Sequence, residues 1–116
     1  MIQGKWTLVS GEQEGVEIPE EDLDKYSLKI SDNHHYVNWS NLVLDGTHTI
    51  DASQTPISID STDAAGPFEG MHLKGILEVS DDEFSICFAT PDEPRPTEFT
   101  TKNGKAIVLH RWKRQT

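Results

Sequence analysis

The chain has 116 residues, with 20 acidic against 10 basic side chains and a formal charge of -10. That length bounds it to one domain over residues 1–116. The charge sets it against a phosphate backbone and against an anionic bilayer surface. Nucleic-acid binding and membrane insertion are therefore not expected, and no stretch approaches the roughly 20 apolar residues of a spanning helix. A single cysteine, Cys87, excludes an internal disulfide.

Period-2 alternation of apolar and polar residues dominates the chain from its start. "KWTLVS" (5–10) puts Trp6 and Leu8 on one face, and "GEQEG" (11–15) reads as a turn. "PEEDLDK" (19–25) begins with a proline followed by acids, which suits a helix N-terminus and predicts one short helix. "YSLKIS" (26–31) alternates with Tyr26, Leu28 and Ile30 on one side, and "HYVNWS" (35–40) continues with Val37 and Trp39. "NLVLDGTHTID" (41–51) is a longer strand in which Gly46 can bend or bulge.

"ISID" (57–60) predicts a short strand and "STDAAGPFEG" (61–70) the longest irregular stretch. "MHLKGILEVS" (71–80) and "EFSICFA" (83–89) are strands joined by a tight turn at Asp81-Asp82. "TPDEPRP" (90–96) is a stiff connection, because three prolines fix three φ angles. "TEFTT" (97–101) then alternates like a strand, Asn103-Gly104 marks a hairpin turn, and "AIVLHRWKR" (106–114) closes the chain.

Eight to nine short strands in antiparallel sequence make a sandwich or an up-and-down barrel. The barrel is the expected form, since closure removes both sheet edges and no strand here is guarded throughout by lysines or bulges. The inward set on this reading is Trp6, Leu8, Tyr26, Leu28, Ile30, Val37, Trp39, Leu44, Ile57, Ile59, Leu77, Phe84, Ile86, Phe88, Phe99 and Leu109. The helix at 19–25 would lie across one end, anchored by Leu23.

Gly4-Lys5-Trp6 at the head of the first strand resembles the Gly-x-Trp signature of lipocalins and the wider calycin barrels. There a tryptophan closes one end under an arginine of the last strand, a cation–π stack. Arg111 and Arg114 are the candidates for that arginine. A longer resemblance covers most of the chain. "QGKWTLVSGEQEG" (3–15), "IPEEDLDKYSLKIS" (18–31), "TPISID" (55–60), "GILEVSDDEFSICFATP" (75–91), "RPTEF" (95–99) and the closing Lys113-Arg114 resemble a lipocalin-like bacterial domain family that is abundant in planctomycetes. The resemblance implies an all-β, calycin-type barrel and favours Arg114 as the stacking residue. It implies no reaction. Many relatives carry a leader, so the chain reads as cytoplasmic if complete and as secreted or periplasmic if a leader preceded it.

No catalytic residue, metal set or cofactor is expected. None of the five histidines falls in a metal-ligating spacing, and the acidic runs lack a calcium-loop pattern. Cys87 sits between apolar neighbours, which favours a packed, inert thiol. Asp60 and Glu78 could do acid–base work only if they shared a cavity. His48 shares its parity with Leu44 and Ile50 and so points inward, either as a core histidine satisfied by a neighbour or as a ligand-orienting group. Arg95, among Asp92, Glu93 and Glu98, is either an anion clamp at the mouth or a tether for loop carbonyls. The functional expectation is non-enzymatic binding of a small apolar or amphipathic ligand at the barrel mouth, oriented by His48, Tyr36 or Arg95. That reading requires a pocket of several hundred cubic ångströms. The alternative is a filled barrel acting as a structural or interaction module through an exposed apolar patch on 106–112. Such a protein would be a monomer or a weak homodimer.

Overall fold

Strands with one apolar face cannot leave that face in water, and a curling sheet buries it by meeting itself. A computed structural model of the protein describes residues 2–39, 42–65, 69–91 and 93–115. In it β1 (Gly4–Gln13), β2 (Val16–Glu17), β3 (Tyr26–Ser31), β4 (His34–Trp39), β5 (Leu42–Asp51), β6 (Ile57–Ala65), β7 (His72–Val79), β8 (Glu83–Ala89) and β9 (Ala106–Arg114) follow one another. Each of β3 to β9 pairs antiparallel with its sequence neighbour, β3 pairs with β1, and β1 pairs with β9. The result is a closed, eight-stranded, up-and-down barrel with β2 as an extra strand on the end of β1. The expectations that touch Ser40, Asn41 and Asp92, and the inward placement of the Trp39 side chain, lie outside the described residues.

Closure is built at the chain termini. Trp6 pairs with Leu28 on one side and with Arg114 on the other. Its indole is fully buried and meets the edge of Phe84 at 4.5 Å between ring centroids. Its Nε1–H donates to the carbonyl of Ile2 at 3.0 Å, which draws the N-terminal segment across the end and buries Ile2. The Arg114 guanidinium carbon lies 4.3 Å from the ring centroid of Trp6, and its Nη1 donates to the Gln3 carbonyl. Arg111 is not the stacking residue. It is exposed and pairs with Glu83 at 3.2 Å, because it falls on the outward parity of β9. Gly4 has φ +118°, and a Cβ there would sit 2.9 Å from Arg114 Nη1. The glycine of Gly-x-Trp thus serves both an unusual backbone angle and the approach of the arginine.

Several local expectations need correction. β1 runs on to Gln13, and the turn is confined to Glu14 and Gly15, both at positive φ. The helix is a 3₁₀ segment over Glu20–Lys25 rather than an α-helix. It occupies the splay where β1 leaves β3 after Thr7, and Leu23 packs on the main core. β6 extends to Ala65, five residues beyond the predicted strand end.

Residues 97–101 are not a strand. A closed ring leaves no edge to pair with, Pro96 has no N–H to give, and the Thr101 N–H is taken by the Glu12 carboxylate at 3.1 Å. The 90–105 connection instead lies on the outside of the barrel. Phe99 joins Ile76, Cys87, Ala106 and Leu109 in a second apolar cluster there. Phe99 and Leu109 are therefore outward, not inward. The apolar second face of β9 is covered by this connection, so it is not the exposed patch expected of 106–112.

Replacing Arg114 by Ala removes a cation–π contact worth about 1–2 kcal/mol and a carbonyl hydrogen bond worth about 1 kcal/mol. Urea denaturation is expected to register a loss of about 1–3 kcal/mol for Arg114→Ala and less than about 0.5 kcal/mol for Arg111→Ala. Equal effects would remove Arg114 from its closing role.

Candidate functional site

The interior is not wholly filled. A cavity of about 100 Å³ remains between the walls. Its lining is almost entirely apolar, with Leu28, Leu44, Ile59, Leu73, Phe84 and Ile86 among the contributors. It is smaller than the several hundred cubic ångströms expected of a binding module for drug-sized ligands. An apolar cavity of roughly 150 Å³ can hold a benzene molecule, and the space here is about two-thirds of that, so one ring is the upper bound on a guest.

Polar groups enter the lining from three adjacent strands. Register places Ile30, His35, Gly46 and Asp63 opposite one another in a row across β3, β4, β5 and β6. The middle position is glycine, and a Cβ there would lie 2.7 Å from Asp63 Oδ1 and 2.3 Å from the Thr62 carbonyl. Gly46 also sits at a register shift in the β5–β6 ladder. With no side chain between them, Asp63 Oδ1 reaches His35 Nε2 at 2.8 Å. His35 Nδ1 in turn lies 3.0 Å from Nδ1 of His48, one position along β5 on the same inner face. His35, Asp63 and His48 are nearly shielded from solvent and all line the cavity. Ser61, paired with His48 across β5 and β6, is a further buried polar contributor.

Burial, and then the neighbouring His35 and His34, lower the His48 pKa to about 4, so the ring is neutral near pH 7. His110 lines the cavity from β9, meets Trp112 and Tyr26 edge-on, and is lowered to about 4 by burial. The other histidines are outside. His34 contacts Asp45 and stacks on Tyr36 at 4.5 Å, and exposed His72 lies near Asp60.

Tyr36 is therefore not a ligand-orienting group. It is exposed on the outer face of β4, because His35 and Val37 take the inward parity. Arg95 is not at the cavity either. Its Nη1 donates to the carbonyls of Ile59 and Gly75, each at 2.9 Å, and its Nη2 meets Asp60 Oδ1 at 2.7 Å. The tether reading of Arg95 describes these contacts. Asp60 and Glu78 share no cavity, since one is held by Arg95 and the other is exposed. Cys87 is fully buried in the outer cluster, and desolvation raises its pKa. Among the described residues no group of three or more His, Cys, Asp or Glu side chains is placed to hold a metal ion.

Of the site, the sequence reading reached His48 alone. His35 carried an inward parity that could have been followed. Asp63 and Ser61 continue the period-2 series of Ile57 and Ile59, but polar residues at inward positions hide that continuation. His110 was obscured because both faces of β9 are apolar.

The fold and site define an all-β closed barrel with a small apolar interior and one buried polar chain. No family model, curated protein or solved structure matches the sequence. No helix among the described residues is long and apolar enough to cross a membrane.

Two histidines whose charged forms are disfavoured by burial tie stability to pH. Their folded pKa values, about 4, lie below the ordinary 6.5, so between those limits the unfolded chain binds protons that the fold refuses. Their contribution is complete above about pH 6.5 and is lost as pH falls toward 4, at up to about 1.4 kcal/mol per pH unit for each ring. Urea midpoints are expected to drop from pH 7 to 4.5, with a shallower drop in His48→Leu. A flat profile in the unaltered chain would contradict the buried, neutral assignment.

Proposed function

We propose that the protein is a non-enzymatic binding module for a compact, mostly apolar ligand, about the size of a single aromatic ring, held inside the barrel. The observation that carries this reading is the combination of an apolar cavity with one polar chain, Asp63–His35–His48, opening onto it. An interior evolved only for stability is commonly filled with apolar side chains, since well-packed hydrophobic residues match or exceed buried polar groups in stability. A void beside unfilled hydrogen-bonding capacity favours a guest. Kinship with lipocalin-like barrels is part of the same proposal and rests on Gly4, Trp6 and Arg114.

The cavity's small volume favours a second reading, a structural barrel with no ligand. That reading has lost β9 as its contact surface, because the 90–105 connection lies over it.

The test is titration of the ¹⁵N-labelled protein with benzene at pH 8, followed by amide and methyl shifts. A ligand of this size is expected to bind with Kd on the order of 0.1–1 mM. Shifts should concentrate on Leu28, Ile59, Leu73, Phe84 and Ile86. Leu73→Phe, which fills the space, should abolish them while keeping the folded spectrum. Absence of any response from the unaltered protein up to saturating benzene would defeat the proposal in favour of the structural barrel. Native mass spectrometry of freshly purified protein gives an independent view, by the added mass of a retained guest.

A further inference from the structure

This inference rests on the proposed function and makes its ligand more specific. We infer that the ligand is a neutral hydrogen-bond donor, a ring-sized molecule whose single hydroxyl or ring N–H donates to Nε2 of His48.

An ionised carboxylate only accepts, so Asp63 Oδ1 at 2.8 Å requires the hydrogen on Nε2 of His35. In a neutral His35 the other nitrogen, Nδ1, is then bare and can only accept. Nδ1 of His48, 3.0 Å away, then supplies the hydrogen between them, the reverse of what a doubly protonated His35 would impose. A neutral His48 that carries its proton on Nδ1 has a bare lone pair on Nε2. No described residue donates to that nitrogen, and the ring lines the cavity. The chain thus transmits the acceptor character of Asp63 through two imidazoles to a ring that lines the ligand space.

What the remaining lining offers sharpens the class. Among the described residues no lysine or arginine lines the cavity, and a buried carboxylate already sits there. A carboxylate or phosphate ligand would be desolvated without a counter-charge, so anions are disfavoured. A cation would lose its hydration in an apolar space whose one carboxylate already shares Oδ1 with His35. An acceptor-only ligand would set its lone pair against that of His48. The Ser61 hydroxyl can turn to either role, and the neutral His110 ring has one N–H and one unprotonated nitrogen, so neither discriminates. A neutral donor with an apolar body remains, of which phenol and pyrrole are the simplest probes.

The experiment uses the full chain at pH 8, where free imidazole is neutral and carboxylates are ionised. Benzene, pyridine, pyrrole and phenol are titrated by the same NMR assay. Phenol and pyrrole are expected to bind about five- to tenfold tighter than benzene, the ratio of one net hydrogen bond, and pyridine no tighter than benzene. In His48→Leu the advantage of phenol and pyrrole over benzene should vanish.

A second readout needs no ligand. Long-range ¹H–¹⁵N spectra of the imidazoles should show His48 with its hydrogen on Nδ1 and Nε2 unprotonated. If benzene binds and phenol and pyrrole gain nothing over it, or if His48 carries its hydrogen on Nε2, the inference falls and the binding role stands. If none of the four probes binds, both fall together.

Discussion

The pairing of β1 with β9, pinned by Trp6 beneath Arg114, is the constraint on which the rest of the structure depends. A sheet that closes has no edge, and a segment arriving after closure has no ladder to join. That is why the 90–105 connection lies on the outside even though part of it alternates as a strand would. It turns its apolar residue, Phe99, against the outer faces of β7, β8 and β9 and supports them there. Its ties are side-chain ones. Thr101 donates to the Glu12 carboxylate through both its N–H and its hydroxyl, and Arg95 spans β6 and β7 through two carbonyls and Asp60. The first of these also lowers the Glu12 pKa.

Closure fixes the interior volume as well. With eight short strands, a barrel is only wide enough for its own side chains or one small guest. The bottom is taken by Trp6, Phe84 and Ile2, and Leu23 and Ile18 pack on the core where β1 and β3 part. What remains is a modest void lined by β3 to β9, with most of its polar wall on β4, β5 and β6. Gly46 links these facts. By lacking a side chain it takes volume out of the wall and lets Asp63 reach across to His35.

The legible parts of this molecule were those set by local pattern. Parity along single strands placed Leu28, Ile30, Leu44, Ile59, Phe84 and Ile86 inside, and they are core or cavity residues. Gly4-Lys5-Trp6 with a basic C-terminal strand announced closure, and Arg114 lies where that pattern puts it. The illegible parts depend on which residue faces which across strands. The His35–Asp63 contact spans 28 positions and passes over a register shift, so no one-dimensional pattern carries it. The 97–101 segment misled for a related reason. Alternation reports that one face is buried but not whether it is buried from within or from without, and Phe99 answers to the outer cluster. Tyr36, offered as an orienting group at the mouth, has the parity opposite to Val37 and lies on the outer face of β4.

The buried chain also bears on why the fold keeps imidazoles where leucine would pack. Desolvating Asp63 is costly unless its charge is met by donors, and His35 meets it. His35 in turn needs a donor on its other nitrogen, and His48 is the only group within reach among the described residues. Each partner is thus made necessary by the one before it, from a carboxylate set near the end of β6 to a ring in the wall of β5. The sequence of dependence has a direction, and it ends at the cavity. An apolar residue in place of Asp63 would leave no polar atom to satisfy, and the two imidazoles would then have no carboxylate to serve. In the binding role proposed above, a relay that begins at a buried charge and finishes at an unshared lone pair would carry the charge's accepting power to a neutral guest.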